Sequence, residues 1–386
     1  MSDAQALIGV DQVARIKSHL DALYTEDEVE AMLGRLLVRL EEFARAHPEL
    51  RDAPTAFPLD QTDVILITYG DQVREPDKAP LRSLDEFLTT HVHGFVSGVH
   101  ILPFYPYTSD DGFSVVDYLA VDPALGEWRD IARIAGHFRL MADAVINHIS
   151  VSSDWFQAFR AGDERYRDYF IVVAPATDLS AVTRPRALPL LTPVETDRGR
   201  EYVWTTFSED QIDLNFATPD VLLGMTGVLL EYVAHGAQLL RLDAIAYLWK
   251  QIGTACIHLP RTHQVVKFWR AVLDAVAPRT LLITETNVPH DENVSYFGDG
   301  SDEAQMIYQF SLPPLTLHAL HTGDASSLQR WAAGLHTPSD RTTFFNFLAS
   351  HDGIGVRPAE GILSPAELQG LVDLAEAHGG YVSYKS

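Results

Sequence analysis

The chain has 386 residues, 46% of them hydrophobic and 21% charged, a globular composition that excludes wholesale disorder. Its 53 acidic and 29 basic residues give a formal charge of −24, which disfavours nucleic acid and anionic membranes as partners. No run of about 18 apolar residues predicts a membrane span. The single cysteine, Cys256, and an N-terminus (Met1–Gln5) without the pattern of a secretory signal favour a cytoplasmic protein.

Residues 1–62 predict a helical extension that ends in a linker. The spacing of Val13, Ile16, Leu20 and Leu23 predicts one amphipathic helix. A second apolar stripe follows the capping pattern Thr25–Glu28 and reaches residue 47. The polar, proline-bearing stretch that follows, up to residue 62, predicts the linker.

From residue 63 onward, short apolar runs alternate with helical patterns. The predicted strands cover 64–69, 98–103, 140–147, 238–244, 280–286, 304–310 and 343–350, and the predicted helices cover 82–93, 128–137, 219–234, 262–277, 324–334 and 364–378. This alternation predicts a parallel sheet that is buried on both faces. The number of strands favours a (β/α)8 barrel over an open doubly wound sheet. No glycine-rich phosphate loop follows a strand, which disfavours a nucleotide-binding fold.

Two features depart from a plain barrel. Residues 149–218 are rich in proline, arginine and aromatic residues and predict a subdomain inserted after the third strand. This divides the barrel into residues 63–148 and 219–386. No eighth strand is predicted before Ser386. We therefore expect either an incomplete barrel or a piece of a longer polypeptide, and an open barrel has exposed strand edges that put independent folding in question.

Most of the predicted strands end in polar residues. These are Asp143, Asn147 and His148 on the third strand, Arg241 and Asp243 on the fourth, Glu285 on the fifth, and His351 and Asp352 on the seventh. In a barrel the carboxyl ends of the strands build the active site, so several acids are expected at one point. Two histidines and several carboxylates would suit zinc or manganese, but no close ligand spacing supports a metal site.

Glycoside chemistry is the other interpretation of these acids. A retaining mechanism needs two carboxylates about 5 Å apart, and adjacent strands lie about 4.8 Å apart. Asp243 and Glu285, at the ends of neighbouring predicted strands, match this requirement. Arg241 lies two residues before Asp243 on the same strand face, and we expect it to lower the pKa of Asp243.

The ordered segments Asp143–His148, Arg241–Ala244, Thr284–Asn287 and Ser350–Asp352 resemble the four signature regions of the α-amylase superfamily of glycosidases. Further motifs resemble the sucrose phosphorylase subfamily within it. They are Val99–Pro106, Asp111–Phe113 and His351–Val356. The N-terminal extension and the segments Thr183–Pro189 and Asn287–His290 are most similar to glucosylglycerate phosphorylases. The resemblance implies a C-terminally truncated member, since relatives continue with an acceptor-site loop, the eighth strand and helix, and a C-terminal β domain.

The resemblance also implies roles for residues in this chain. Asp243 would be the nucleophile, Glu285 the acid and base, and Asp352 a residue that holds sugar hydroxyls and stabilises the transition state. The remaining substrate-binding residues implied are Asp110, Phe113, His148, Arg241, His351, Phe207, Gln211, Tyr247 and Asn287. Asn287 stands where sucrose phosphorylases have a histidine, which makes sucrose less suited as a substrate.

A phosphorylase must hold a dianion beside an acidic protein, and arginine suits this best. Arg184 and Arg186 in the inserted subdomain are the candidates for binding phosphate or the carboxylate of glycerate.

We therefore expect a cytoplasmic retaining phosphorylase that converts an α-glucoside, glucosylglycerate above all, and inorganic phosphate to α-glucose 1-phosphate. No metal or organic cofactor is expected, and the oligomeric state is open. The alternatives are a sucrose or glucosylglycerol phosphorylase, a retaining hydrolase, and an inactive amylase-like binding module.

Overall fold

The structure, a computed structural model, describes residues 7–53 and 57–383. The chain divides into two compact units, Met1–Leu282 and Ile283–Ser386. The predictions made for Met1–Gln5 and for linker residues 54–56 lie outside the described residues. The domain bounds drawn from the sequence stay a prediction.

The first unit contains helices, parallel strands and two small antiparallel sheets. Its elements are α1 (Val10–Asp21), α2 (Glu26–Ala46), β1 (Ile65–Thr68), α3 (Pro80–Phe87), β2 (Gly98–Ile101), α4 (Trp128–Ala135), β3 (Arg139–Ala144), β4 (His148–Ser150), α5 (Asp154–Arg160), β5 (Leu191–Thr196), β6 (Gly199–Trp204), β7 (Gln211–Asp213), α6 (Pro219–Ala234), β8 (Ala237–Leu242) and α7 (Pro260–Val276). A π-helical segment, Leu88–Val92, continues α3.

The helical extension is confirmed as α1 and α2. The backbone N–H of Thr25 donates to Glu28 Oε2 at 2.9 Å, as the capping pattern predicts. The extension packs on the outer helices of the same unit, where Arg15 Nη1 lies 2.6 Å from Asp274 Oδ2 of α7. The Tyr24 hydroxyl donates to the carbonyl of Phe216 at 2.8 Å.

Four strands of the first unit pair in parallel in the order β1-β2-β3-β8. Their residues are mostly buried, because helices cover the sheet, and this is why each strand is a nearly continuous apolar run. In the register of β3 and β8, Asp143 lies opposite Arg241. The polar ends of the two strands are therefore neighbours.

The segment between β3 and α6 has its own secondary structure. Strands β5 and β6 form an antiparallel hairpin, and β4 pairs antiparallel with β7 so that His148 lies opposite Asp213. This second pairing ties the end of the segment back to the residue that follows the third barrel strand. The predicted insertion after the third strand is confirmed.

In the second unit, three parallel strands follow chain order. The elements are β9 (Leu281–Thr284), at which the boundary lies, α8 (His290–Val294), β10 (Met306–Tyr308), α9 (Leu312–Thr322), α10 (Ser326–Ala333), β11 (Thr343–Phe345) and α11 (Pro365–Ala377). Met306 pairs with Ile283 on one side and Thr343 on the other. A small core of Leu315, Ala359, Leu363 and Leu371 joins α9 to α11.

All seven predicted parallel strands are present, and no eighth one lies in residues 7–53 or 57–383. Several details differ from the predictions. The third strand ends at Ala144 rather than residue 147, and the seventh ends at Phe345 rather than residue 350. Helix α9 was not predicted, because it is apolar on all sides and lacks the amphipathic stripe that marks a surface helix.

Candidate active site

One arginine holds two carboxylates at the ends of β3 and β8. Arg241 Nη1 donates to Asp143 Oδ1 at 2.6 Å and to Asp243 Oδ1 at 2.7 Å. Asp143 also accepts a bond from His100 Nε2 of β2 at 2.7 Å. Asp143, His100 and Arg241 are buried, whereas the Asp243 side chain keeps 12% of its surface exposed. Asp243 is therefore the member of this group that a ligand can reach.

The two carboxylates respond differently to the same burial. Desolvation raises the pKa of Asp143, but His100 and Arg241 together outweigh it and lower the pKa to about 2. Desolvation also raises the pKa of Asp243, and here Arg241 and His148 reduce the rise without reversing it. Arg241 therefore lowers the pKa of Asp243 as predicted, but the net shift is upward, because desolvation outweighs Arg241 and His148 and the nearby Asp143 carboxylate adds to the rise.

A second group of predicted residues surrounds His148. Its Nε2 lies 2.8 Å from the carbonyl oxygen of Phe113 and 3.1 Å from Gln211 Nε2. Gln211 Nε2 also donates to Asp110 Oδ2 at 2.9 Å and to the Phe113 carbonyl at 3.0 Å. The Phe113 ring lies 5.6 Å from the Arg241 guanidinium. The structure thus joins Asp110, Phe113, His148 and Gln211 to the arginine that holds Asp243.

Aromatic and cationic side chains extend this group. The Phe207 ring lies 5.2 Å from the His148 ring and 5.6 Å from the Tyr247 ring, centroid to centroid. Arg186 Nη2 donates to Asp110 Oδ2 at 3.1 Å, and its guanidinium lies 5.7 Å from the Phe207 ring. Arg184 and Arg186 are both exposed. Arg186 therefore lies beside the residues predicted to bind the sugar, and it forms an ion pair with one of these residues, Asp110.

The loop that carries Asp110 has an unusual backbone. Asp110 and Asp111 have φ angles of 55° and 49°, and Gly112 has a φ of 109°. A Cβ atom at position 112 would lie 2.9 Å from the Cβ and carbonyl oxygen of Pro103. Glycine is needed here because an L side chain would be strained and would clash with the backbone that follows β2.

The second unit holds the other predicted acids. Glu285 comes directly after β9 and is half-buried, whereas Asp352 and Asn287 are exposed. His351 Nε2 lies 3.3 Å from Asp352 Oδ2. Gly355 allows Asn287 to approach, because a Cβ at position 355 would lie 2.9 Å from the Asn287 amide nitrogen. The distance from Asp243 to Glu285 and Asp352 stays a prediction.

Several polar residues near the site were not predicted from the sequence. His100 was missed because it lies inside an apolar strand, although a histidine in the middle of such a run is itself a signal. Asp210 accepts hydrogen bonds from Thr108, Ser109 and Ser150 and so joins the Asp110 loop to β4. Lys250 and Asp213 form a buried ion pair of 2.5 Å. No short motif marks these contacts.

In the described residues, no group of three or more His, Cys, Asp or Glu side chains has the arrangement of a metal site. No helix among them is long and apolar enough to cross a membrane.

The fold and the residues at its strand ends define a class of protein. The α-amylase catalytic domain matches residues 94–354, and the chain belongs to the α-amylase family. This confirms the barrel fold class and the resemblance that the four signature segments carry.

Two named relatives and one crystal structure are similar to most of this chain. The chain is 58% identical over 370 residues to the glucosylglycerate phosphorylase of Allomeiothermus silvanus, covering 96% of this chain and 65% of that protein. It is 48% identical to the glucosylglycerate phosphorylase of Escherichia coli, covering 96% and 66%. The crystal structure of sucrose 6F-phosphate phosphorylase from Thermoanaerobacter thermosaccharolyticum is similar with a TM-score of 0.76 and 27% identity, covering 86% of this chain and 68% of that one. The chain thus spans about two thirds of the length of these curated relatives.

Proposed function

We propose that the chain carries the catalytic residues of a retaining glucoside phosphorylase, with glucosylglycerate as the favoured glucosyl donor. The observation that supports this most is the 58% identity to a protein named glucosylglycerate phosphorylase over 96% of the chain. The arrangement around Asp243 agrees with the proposal, because its carboxylate is anchored through Oδ1 and remains partly exposed.

The reaction would proceed in two displacements. In the first, the Asp243 carboxylate attacks the anomeric carbon of the α-glucoside, and the bond to the glycerate oxygen breaks as Glu285 donates a proton to it. In the second, a phosphate oxygen attacks the same carbon and gives up its proton to Glu285, and the glucosyl–Asp243 ester breaks to release α-glucose 1-phosphate. Asp352 would stabilise the positive charge that develops on the sugar in the transition state of each displacement.

The buried arginine fits the nucleophile's task. Arg241 fixes the position of Asp243 through one hydrogen bond and opposes the rise in pKa that burial causes. A carboxylate with this environment keeps more nucleophilic character than one with a strongly depressed pKa such as Asp143. Asp143 would then act on Asp243 through Arg241 rather than on the sugar.

The glucosyl group would be bound by the residues gathered around His148, and the resemblance implies the same role for Asn287 and His351. The members named in this role are Asp110, Phe113, His148, Phe207, Gln211, Tyr247, Asn287 and His351. Arg186, beside Asp110 and Phe207, is the first candidate for holding phosphate or the carboxylate of glycerate, and Arg184 is the second. An incoming anion would have to compete with Asp110 for Arg186.

The proposal includes inorganic phosphate as co-substrate and requires neither a metal nor an organic cofactor. The partners are the small sugar substrate and phosphate, without nucleic acid or membrane, and the location is the cytoplasm. The strongly acidic composition supports this set of partners.

The test is to incubate the complete gene product with glucosylglycerate and phosphate and to measure α-glucose 1-phosphate and free glucose. We expect α-glucose 1-phosphate as the main product, with glucose formed only slowly. Free glucose alone would show a hydrolase instead, and neither product with any of glucosylglycerate, sucrose and glucosylglycerol would point to a binding module. In the reverse direction, release of phosphate from glucose 1-phosphate with glycerate, fructose or glycerol identifies the acceptor.

A further inference from the structure

A buried lysine lies behind the residues that surround His148. The Lys250 side chain is 4% exposed, and Nζ lies 2.5 Å from Asp213 Oδ2, whose side chain is fully buried. Lys250 Nζ also donates to Asn147 Oδ1 at 2.7 Å. None of the proposed catalytic steps uses Lys250. A buried cation with two defined partners is costly to desolvate, so its presence calls for a structural or functional reason.

The contacts of Lys250 and Asp213 fix the orientation of the Asn147 amide. Lys250 donates to the amide oxygen, and Asp213 Oδ2 accepts from the amide nitrogen at 3.1 Å. An ammonium group can only donate and a carboxylate can only accept, so turning the amide over would break both bonds. Asn147 Nδ2 is thereby directed toward His148 Nδ1, 3.3 Å away.

This orientation determines which nitrogen of His148 carries the proton. Asn147 presents an N–H to Nδ1, so Nδ1 must be the acceptor. On the other side of the ring, Nε2 faces the carbonyl oxygen of Phe113 at 2.8 Å, which can only accept, so Nε2 must donate. Both contacts select the same neutral tautomer, and Gln211 Nε2, 3.1 Å from the same ring nitrogen, directs its two hydrogens to Asp110 and to the Phe113 carbonyl. Desolvation lowers the pKa of His148, in agreement with a neutral ring.

The same ion pair also holds the neighbours of His148. Asp213 accepts the backbone N–H of Thr206 at 2.7 Å and its hydroxyl at 2.6 Å. Thr206 directly precedes Phe207, and Asp213 shares β7 with Gln211. The buried ion pair therefore also holds the backbone next to Phe207, whose ring lies 5.2 Å from the His148 ring.

We propose that Lys250 is a positioning residue that, with Asp213, fixes the Asn147 amide and so holds His148 as its neutral Nε2–H tautomer on the wall of the glucosyl pocket. The tautomer itself does not depend on the proposed function, whereas the effect on sugar turnover rests on it.

The first test reads the tautomer directly. Long-range ¹H–¹⁵N spectra of the complete protein distinguish a protonated from an unprotonated ring nitrogen, and the spectrum of His148→Gln assigns the signal. We expect protonated Nε2 and unprotonated Nδ1 in the wild-type protein. A proton on Nδ1, or a charged ring at neutral pH, overturns the proposal.

The second test removes the lysine. Lys250→Met keeps most of the side-chain volume, and Lys250→Met combined with Asp213→Asn also removes the uncompensated buried carboxylate. Lys17→Met is the matched control, since it breaks an exposed ion pair with Asp21 in α1. In the folded variants we expect the ¹⁵Nδ1 signal of His148 to shift, because the Asn147 amide is no longer fixed against Nδ1, while the Lys17→Met spectrum is unchanged. An unchanged Nδ1 signal in either folded Lys250 variant overturns the proposal.

Kinetics separate positioning from general loss of structure. Misplacement of groups in the glucosyl pocket costs about 10²-fold in kcat/KM. We expect a loss of that size for both glucosyl donors, the glucoside and α-glucose 1-phosphate, with the KM for phosphate unchanged. If kcat/KM fell equally for the glucosyl donors and for phosphate, this would contradict the proposal that Lys250 positions the sugar pocket. If the wild-type protein shows the expected tautomer but no phosphorolysis, the proposed function fails and the assignment of Lys250 stands.

Discussion

Asp143 and Asp243 accept hydrogen bonds from the same nitrogen atom, Arg241 Nη1, at 2.6 Å and 2.7 Å. Asp143 has a second hydrogen-bonding partner, His100. His100 and Arg241 together outweigh the burial of Asp143, whereas Arg241 and His148 offset the burial of Asp243 only in part. This inequality gives the two aspartates opposite pKa shifts and opposite effects on stability.

For Asp143, the folded-state pKa of about 2 lies below the ordinary value of 3.8. Its contribution to stability is present above pH 3.8 and is lost as the pH falls toward 2. We expect Asp143→Asn to lower the free energy of unfolding at neutral pH by about 2 kcal/mol and to flatten the stability profile in that acidic range. Urea unfolding at a series of pH values measures this. Asp340→Asn, at an exposed aspartate, is the control and should leave the profile nearly unchanged.

For Asp243, the folded-state pKa is raised, so the sign is reversed. Its favourable contribution is present below the unfolded pKa and is lost as the pH rises through the folded pKa. At neutral pH the ionised carboxylate therefore costs stability, and Asp243→Asn should increase the free energy of unfolding there. The same urea series provides the measurement, and a decrease at neutral pH would contradict the raised pKa of Asp243.

Asp243→Ala should abolish turnover while the protein remains folded, because Arg241 keeps Asp143 as its partner. The expected loss in kcat is at least about 10⁴-fold, as for other nucleophiles of covalent catalysis. Steady-state formation of α-glucose 1-phosphate gives the rate, and circular dichroism gives the folding. Asp178→Ala is the control that should keep full activity. Substantial activity in the Asp243 variant would exclude it as the nucleophile.

Arg186→Ala should weaken phosphate binding without removing the chemistry. Loss of one charge-assisted contact corresponds to about a tenfold rise in the KM for phosphate. The KM for phosphate at saturating glucoside is the measurement. Arg200→Ala is the control, because Arg200 forms an exposed ion pair with Glu195 in the β5–β6 hairpin. Equal KM values in the two variants would assign Arg186 to its ion pair with Asp110 alone.

Gly112→Ala should destabilise the loop that carries Asp110 and Phe113. An alanine at a φ of 109° pays a backbone penalty of about 1 kcal/mol or more, and its Cβ would lie 2.9 Å from Pro103. Gly94→Ala is the matched control, since its φ is 90° and nothing lies within 4 Å of the added Cβ. Thermal unfolding of both variants measures the difference. If Gly112→Ala is no less stable than Gly94→Ala, the contact with Pro103 has no energetic role.

Much of the fold follows from local sequence patterns. Buried parallel strands need apolar residues on both faces, so runs such as Leu281–Thr284 can be predicted as strands without tertiary information. The residue types after these runs, such as Asp243 after β8 and Glu285 after β9, mark the edge of the sheet where chemistry is expected. Helix α9 was missed because an apolar helix has no periodic polar face to reveal it.

Contacts between distant segments were decided only by the tertiary structure. His100, Asp143 and Arg241 come from three strands, and Asn147, Asp213 and Lys250 come from three other segments. The sequence alone determined that Arg241 would be near Asp243, because two residues on one strand share a face. It could not determine the net pKa of Asp243, because that depends on burial and on a competitor for the same arginine that lies 98 residues away in the chain. Strand patterns are local properties of the chain, whereas the pKa of a buried carboxyl group depends on every charged group that the fold brings near it.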